Sequence, residues 1–219
     1  AKGNRGDDAE TPPAQSDTLT PMTLDPVEDA ALQAALASTA DDLTAFNLTG
    51  ADGLFKHSRG VRHTIIERVK GDVPLVTAGK ENYGIAQCVA TAPSRLFPSN
   101  TITIDMFANV FYRPYEYYAD DNIICLESEG MSPEHMLYIA AALQRVRKHG
   151  YDKQFRLESL EKLQVSLPAR ADGGIDWELM RDAVLASMKT LANEALEEQQ
   201  KRAAFTRQVI GEHYGADAG

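Results

Sequence analysis

The stretch DWELMRDAVLASMKTLANEALEEQQKRAAFTRQVIGEH, residues 176–213, constrains this chain more than any other. Its pattern predicts one long helix starting after Asp176 and running to about Ile210. Met180, Val184, Met188, Leu191 and Ala195 recur at spacings of 4, 4, 3 and 4, which makes a single apolar seam on an otherwise charged helix. Such a helix is roughly 50 Å long at 1.5 Å per residue, more than a small domain can cover. At 219 residues the chain has room for one ordinary domain with this helix as an appendage. The seam therefore calls for another helix to cover it.

Ahead of it the chain divides by composition. Residues 1–24 are rich in Asp, Pro, Thr and Gly with few large apolar side chains, so a disordered segment is expected. Residues 25–44 are expected to form an N-terminal helix. Asp25 can cap, Pro26 fits the first helical position and Glu28 sits at the capping-box position. Between 45 and 170 the pattern changes to short runs rich in β-branched and aromatic residues: VPLVTAG, GIAQCVA, TITID, NVFYRP, NIICLES and LQVSLP. One helix interrupts them, MSPEHMLYIAAALQRVRKHG, with Ser132 as N-cap, Pro133 in the first turn and Gly150 as the stop. A shorter helical turn is expected in LESLEKL. The sum is an α+β domain with a mainly antiparallel sheet and an inserted helix, followed by the long C-terminal helix over 171–219.

Charge is distributed unevenly. The net charge is −10, yet residues 51–170 hold 15 basic and 14 acidic side chains, so the acidity sits in the flanks. Within the neutral middle, Lys56, His57, Arg59, Arg62, His63, Arg68 and Lys70 form one basic cluster. Arg145, Arg147, Lys148, His149, Lys153, Gln154 and Arg156 form a second. Lys and Arg contact phosphates, while Arg, Asn and Gln can read base edges, so two such clusters point to nucleic acid. Between them GDVPLVTAGKENYGI poses a separate question: Gly79 and Gly84 bracket the hydrogen-bonding side chains of Lys80, Asn82 and Tyr83.

Enzyme signatures are missing. There is no GxGxxG or GxxxxGK[ST] loop, no GxSxG elbow and no metal-ligand spacing among the five histidines, so no catalytic residue, cofactor or metal is assigned. Cys88 and Cys125 lack a CxxC context and read as reduced thiols. No apolar run approaches a membrane span and the N-terminus lacks a signal-peptide core, so a cytoplasmic protein without membrane contact is expected.

Three stretches in order, GDVPLVTAGKENYGI, NTITIDMFANVFYRPYEYYADDNIICLES and GYDKQFRLESLEKLQVSLP, resemble the target recognition domain of type I restriction–modification specificity subunits and of half-length specificity subunits. The likeness rests on Gly71, Pro74, Val76, Thr77, Ala78, Gly79, Asn82 and Gly84. It continues through Thr103, Ile104, Asp105 and Phe111 or Tyr112, then Tyr151, Arg156, Leu160, Leu167 and Pro168. LPARADGGIDWELM is similar to the passage leading into the family's spacer helix. One departure stands out: Ala108-Asn109 replaces the hairpin glycine, and Asn109 is expected to supply the positive φ.

The resemblance implies a target recognition domain over 45–170 and a non-catalytic subunit that binds double-stranded DNA. It further implies direction of an adenine methyltransferase subunit to its site, with or without a restriction subunit. Lys56, Arg59, Arg62, Lys80, Asn82, Tyr83, Lys148, Lys153 and Arg156 are the candidate DNA contacts. Thr77, Gly79, Asn82 and Gly84, shared by members that read different sequences, are expected to be architectural rather than specificity-determining. A single domain with one helix implies a homodimer through the C-terminal helix, with methyltransferase subunits docking there. The competing expectation is an antirestriction or DNA-mimic protein that binds the methyltransferase surface; the acidity supports it in amount but not in placement.

Overall fold

The computed structural model describes residues 21–37, 42–145, 150 and 152–214. Most of the segment expected to be disordered (residues 1–20) and Lys148 lie outside the described residues. Among the described residues nine strands and four α-helices follow in order: α1 (Pro26–Ala37), β1 (Leu43–Asn47), β2 (Lys56–Arg59), β3 (Lys70–Val76), β4 (Ile85–Val89), β5 (Thr101–Asp105), β6 (Val110–Arg113), β7 (Tyr118–Ala119), β8 (Ile123–Glu127), α2 (Pro133–Leu143), α3 (Leu157–Leu160), β9 (Gln164–Pro168) and α4 (Trp177–Tyr214). Three sheets result, in strand orders β1-β9, β2-β8-β5-β6 and β4-β3-β7. Every pairing is antiparallel except the short one between β3 and β7.

Local chemistry sets the helix ends. The Asp25 carboxylate accepts from the Val27 and Glu28 amides at 2.9 Å, and Glu28 accepts from the Asp25 amide at 3.0 Å, a reciprocal capping box. α1 ends at Ala37, so Leu43 and Thr44, assigned to the N-terminal helix by composition, instead begin β1. Ser132 caps α2 with Pro133 behind it as expected, but that helix stops at Leu143 and not at Gly150. The Asp176 side chain accepts from the Leu179 amide at 3.0 Å and opens α4.

The middle strands of the four-stranded sheet, β5 and β8, are buried on both faces, and the period of two divides them. Ile102 and Ile104 of β5 with Ile124 and Leu126 of β8 face the main core, where Met136, Ile139 and Leu143 of α2, Val165 and Leu167 of β9 and Met180 of α4 meet them. Each such side chain contributes about 1.5–3 kcal/mol by leaving water. Ile123 and Cys125 of β8 join Val76, Phe97, Tyr117 and Ala119 in a second cluster. The remaining β5 residues, Thr101, Thr103 and Asp105, are also buried and lie on the β5 face opposite Ile102 and Ile104. A polar group there needs a partner, and each has one: the Thr101 hydroxyl lies 2.9 Å from that of Tyr117, Thr103 accepts from Arg113 at 3.0 Å, and Asp105 accepts from the Gly79 amide at 2.8 Å.

Gly71 shows why the first motif begins with glycine. A Cβ there would sit 2.3 Å from the Ala90 nitrogen, where β3 bulges so that Lys70 and Val73 both oppose Val89.

The chain divides into two units, residues 24–188 and residues 1–23 with 189–219. Within the second, the Asn193 amide exchanges hydrogen bonds with the Met22 backbone at 2.7 and 2.6 Å, and Arg202 pairs with Glu198 at 2.9 Å along α4.

Candidate nucleic-acid interface

Asp105 organises the turn end of the domain. Its Oδ1 accepts from the Phe107 and Asn109 amides, and its Oδ2 from the Gly79 amide and the Asn109 side chain, each at 2.8 Å. One carboxylate, 3% exposed, thus ties the β5–β6 turn to the turn between β3 and β4. The positive φ of the β5–β6 turn falls on Ala108 (φ 60°) and not on Asn109 as expected. Asn109 is committed by side chain and amide to Asp105, so the strain moves to the residue before it.

The turn closed by Thr77–Gly84 answers the question its sequence poses. The Thr77 amide donates to the Gly84 carbonyl at 2.8 Å, and the Asn82 side chain donates to the Ile85 carbonyl at 3.1 Å. Asn82 (φ 47°), Tyr83 (φ 55°) and Gly84 (φ 75°) are consecutively left-handed. Asn and Gly tolerate this region; for Tyr it costs about 1–2 kcal/mol. A Cβ at Gly84 would stand 2.9 Å from the Thr77 oxygen. Asn82 is therefore spent on the backbone, while Lys80 and Tyr83 face solvent.

Next to this turn, the Met106 amide donates to the Asn122 carbonyl at 3.1 Å, and the Met106 carbonyl accepts from the Phe155 amide at 2.8 Å. These bonds bring the segment before α3 beside β2 and form a cleft of about 260 Å³. Arg59, Asn122, Gln154, Arg156 and the acidic Glu158 supply its polar groups, and Met106, Ile124, Phe155 and Leu157 line its apolar part. Two residues from different sequence clusters, Arg59 and Arg156, thus share one recess. Arg59 is oriented by its Nε–H donating to the Asp121 carbonyl, and Arg62 stands 4.0 Å from the Asp121 carboxylate.

The other candidates are dispersed. Lys56, at the opposite end of β2, pairs with Glu129 at 2.7 Å in a separate groove that also holds Arg95 and its partner Glu127. The Glu129 contact raises the Lys56 ammonium pKa and lowers that of the Glu129 carboxyl. Arg145 lines a third recess with Leu43 and Gln164. Lys153 is exposed between the described parts of the second cluster.

Residues absent from the candidate set matter most to the geometry. Arg113 is 1% exposed beneath the 77–84 turn; its partners among the described residues are the Thr103 and Tyr115 hydroxyls and the rings of Phe111 and Tyr117, not a carboxylate. Asn122 was silent in sequence, being one residue at a strand edge. Of the helical seam, Met180 is buried in the domain's own core and Val184 half-buried, whereas Met188 and Leu191 are 53% and 64% exposed. Among the described residues no group of three or more His, Cys, Asp or Glu could hold a metal, and no helix is long and apolar enough to cross a membrane.

Comparison with known proteins converges on one family. A curated relative, the specificity subunit S.BcgI of a type II restriction enzyme from Heyndrickxia coagulans, is 24% identical over 154 residues, covering 68% of this chain and 45% of that protein. The type I restriction–modification S subunit from M. genitalium superposes with a TM-score of 0.51 at 14% identity, over 84% of this chain and 52% of that one. A structure from work on assembly and conformational transition of the type I R-M system gives 0.52 at 14% identity, over 84% and 50%. The chain spans about half the length of the relatives it matches. Residues 62–198 match the type I restriction modification DNA specificity domain, and the chain belongs to that family.

Proposed function

We propose that this chain is a non-catalytic specificity subunit that binds double-stranded DNA in the cytoplasm and directs an adenine methyltransferase, with or without a restriction subunit, to a chosen sequence. The observation that carries the reading is the cleft where Arg59, Asn122, Gln154 and Arg156 converge inside the matched domain. Guanidinium and amide groups on one recess suit phosphate contact and bidentate base reading. Arg62, Lys80 and Tyr83 extend the same contact face, and Lys153 adds a phosphate contact. Lys56, held by Glu129, is given a smaller share.

The exposed part of α4 supplies the second half of the proposal. Met188, Leu191 and Ala195 continue the seam beyond the residues the domain covers, and pairing with the same helix of another copy removes them from water. Two domains held by a two-fold axis read a palindromic, gapped site. Selection from a random duplex pool, with the purified chain and its methyltransferase together, tests this. Enrichment of a two-part palindrome is expected; retention of DNA without sequence enrichment refutes the reading.

A further inference from the structure

We propose that Tyr83 and Phe111 form a corner that receives the C5-methyl group of a thymine, which makes Tyr83 a specificity-determining side chain. The inference rests on the DNA-binding reading above. Tyr83 is held in a left-handed conformation that disfavours bulky residues, and the residue is nonetheless 68% exposed. The turn is clamped at Thr77–Gly84, Gly79–Asp105 and Asn82–Ile85, so the ring is displayed from a fixed platform. Strain of this kind concentrates where a side chain must meet a ligand.

The shape of the display selects the ligand. The Tyr83 and Phe111 rings meet at 84° with centroids 6.1 Å apart, and the Arg113 guanidinium lies 5.1 Å from the Phe111 centroid. Two rings at a right angle make a concave apolar corner, which suits a small knob better than the flat face of a base. Along the edge of a DNA duplex the thymine methyl is the one aliphatic knob on offer, and it lies in the major groove. Asp105 holds this turn, and its neighbour Met106 lines the cleft of Arg59 and Arg156, so the corner and the cleft belong to one end of the domain.

The test uses the full chain and duplexes carrying its selected site, with each thymine replaced in turn by deoxyuridine. Burying one methyl corresponds to about a fourfold change in affinity. Wild type is expected to lose about fourfold at one thymine position, and Tyr83→Gly to lose that discrimination while its melting temperature holds or rises, since glycine accepts the φ. Phe111→Leu serves as the second variant and is expected to weaken the same thymine preference while leaving the backbone hydrogen bonds of the turn in place. Three results overturn the inference with DNA recognition intact: no sensitivity to uracil at any position, discrimination that persists in Tyr83→Gly, or a selected site without thymine. A purely structural Tyr83 lowers the melting temperature on replacement and leaves the uracil ratio unchanged. Absence of any sequence-selective binding refutes the DNA reading itself, and this inference with it.

Discussion

Replacing Asp105 by asparagine isolates the hub of the turn end. The change keeps shape and volume but turns one oxygen, an acceptor, into a donor. Both carboxylate oxygens accept two bonds, so either orientation of the new amide sets its NH₂ against two donors. With the NH₂ at the Oδ2 position, the Asn109 amide can flip and offer its own oxygen. The Gly79 N–H has no such freedom and faces the NH₂. The variant thus loses the charge-assisted bond to the Gly79 amide, worth about 1.5–3 kcal/mol, and weakens the others by removing the charge, for a total of about 2–4 kcal/mol. Urea unfolding of the full chain should show this loss. Native-state hydrogen exchange should show faster exchange at the Gly79 and Asn109 amides than at β8. A loss below about 1 kcal/mol, or unchanged protection at Gly79, refutes the role given to Asp105.

Other consequences are independent of it. Gly71→Ala forces a Cβ against the Ala90 backbone and should destabilise the domain by more than about 2 kcal/mol in the same denaturation assay. Burial pushes the Cys125 thiol up to about 12, whereas Cys88 is exposed, so a thiol reagent at pH 8 should label Cys88 quickly and Cys125 only on unfolding. Leu191→Asp should dissociate the proposed dimer in sedimentation and abolish two-part site binding while the circular dichroism of the domain persists; a wild type that stays monomeric with methyltransferase present contradicts that assembly.

Local signals carried the sequence reading, and nonlocal geometry lay outside it. Asp25, Ser132 and Asp176 announce their helices because capping depends on residues three or four apart. The six apolar strands were visible from β-branched runs. β2, KHSR, was not, since a polar edge strand shows no alternation, and the two residues of β7 are too few for any pattern. The positive φ fell on Ala108 because the competing claim on Asn109 comes from a buried carboxylate four residues earlier. Arg59 and Arg156 were legible as basic residues, but their meeting depends on β2 pairing with β8 and on the Phe155–Met106 hydrogen bond. Nothing in the sequence singles out Arg113, and only the fold reveals it as a buried support.

The salt dependence of DNA binding addresses the proposed interface most directly. Affinity of the full chain with its methyltransferase for the selected duplex should fall steeply with salt. Arg59→Ala and Arg156→Ala should each weaken it, and each lost phosphate contact should reduce the log–log slope by about one unit. Where either arginine reads a base, discrimination at that position relaxes instead. An affinity, slope and selectivity all unchanged in the double variant would contradict the assignment of the cleft to DNA.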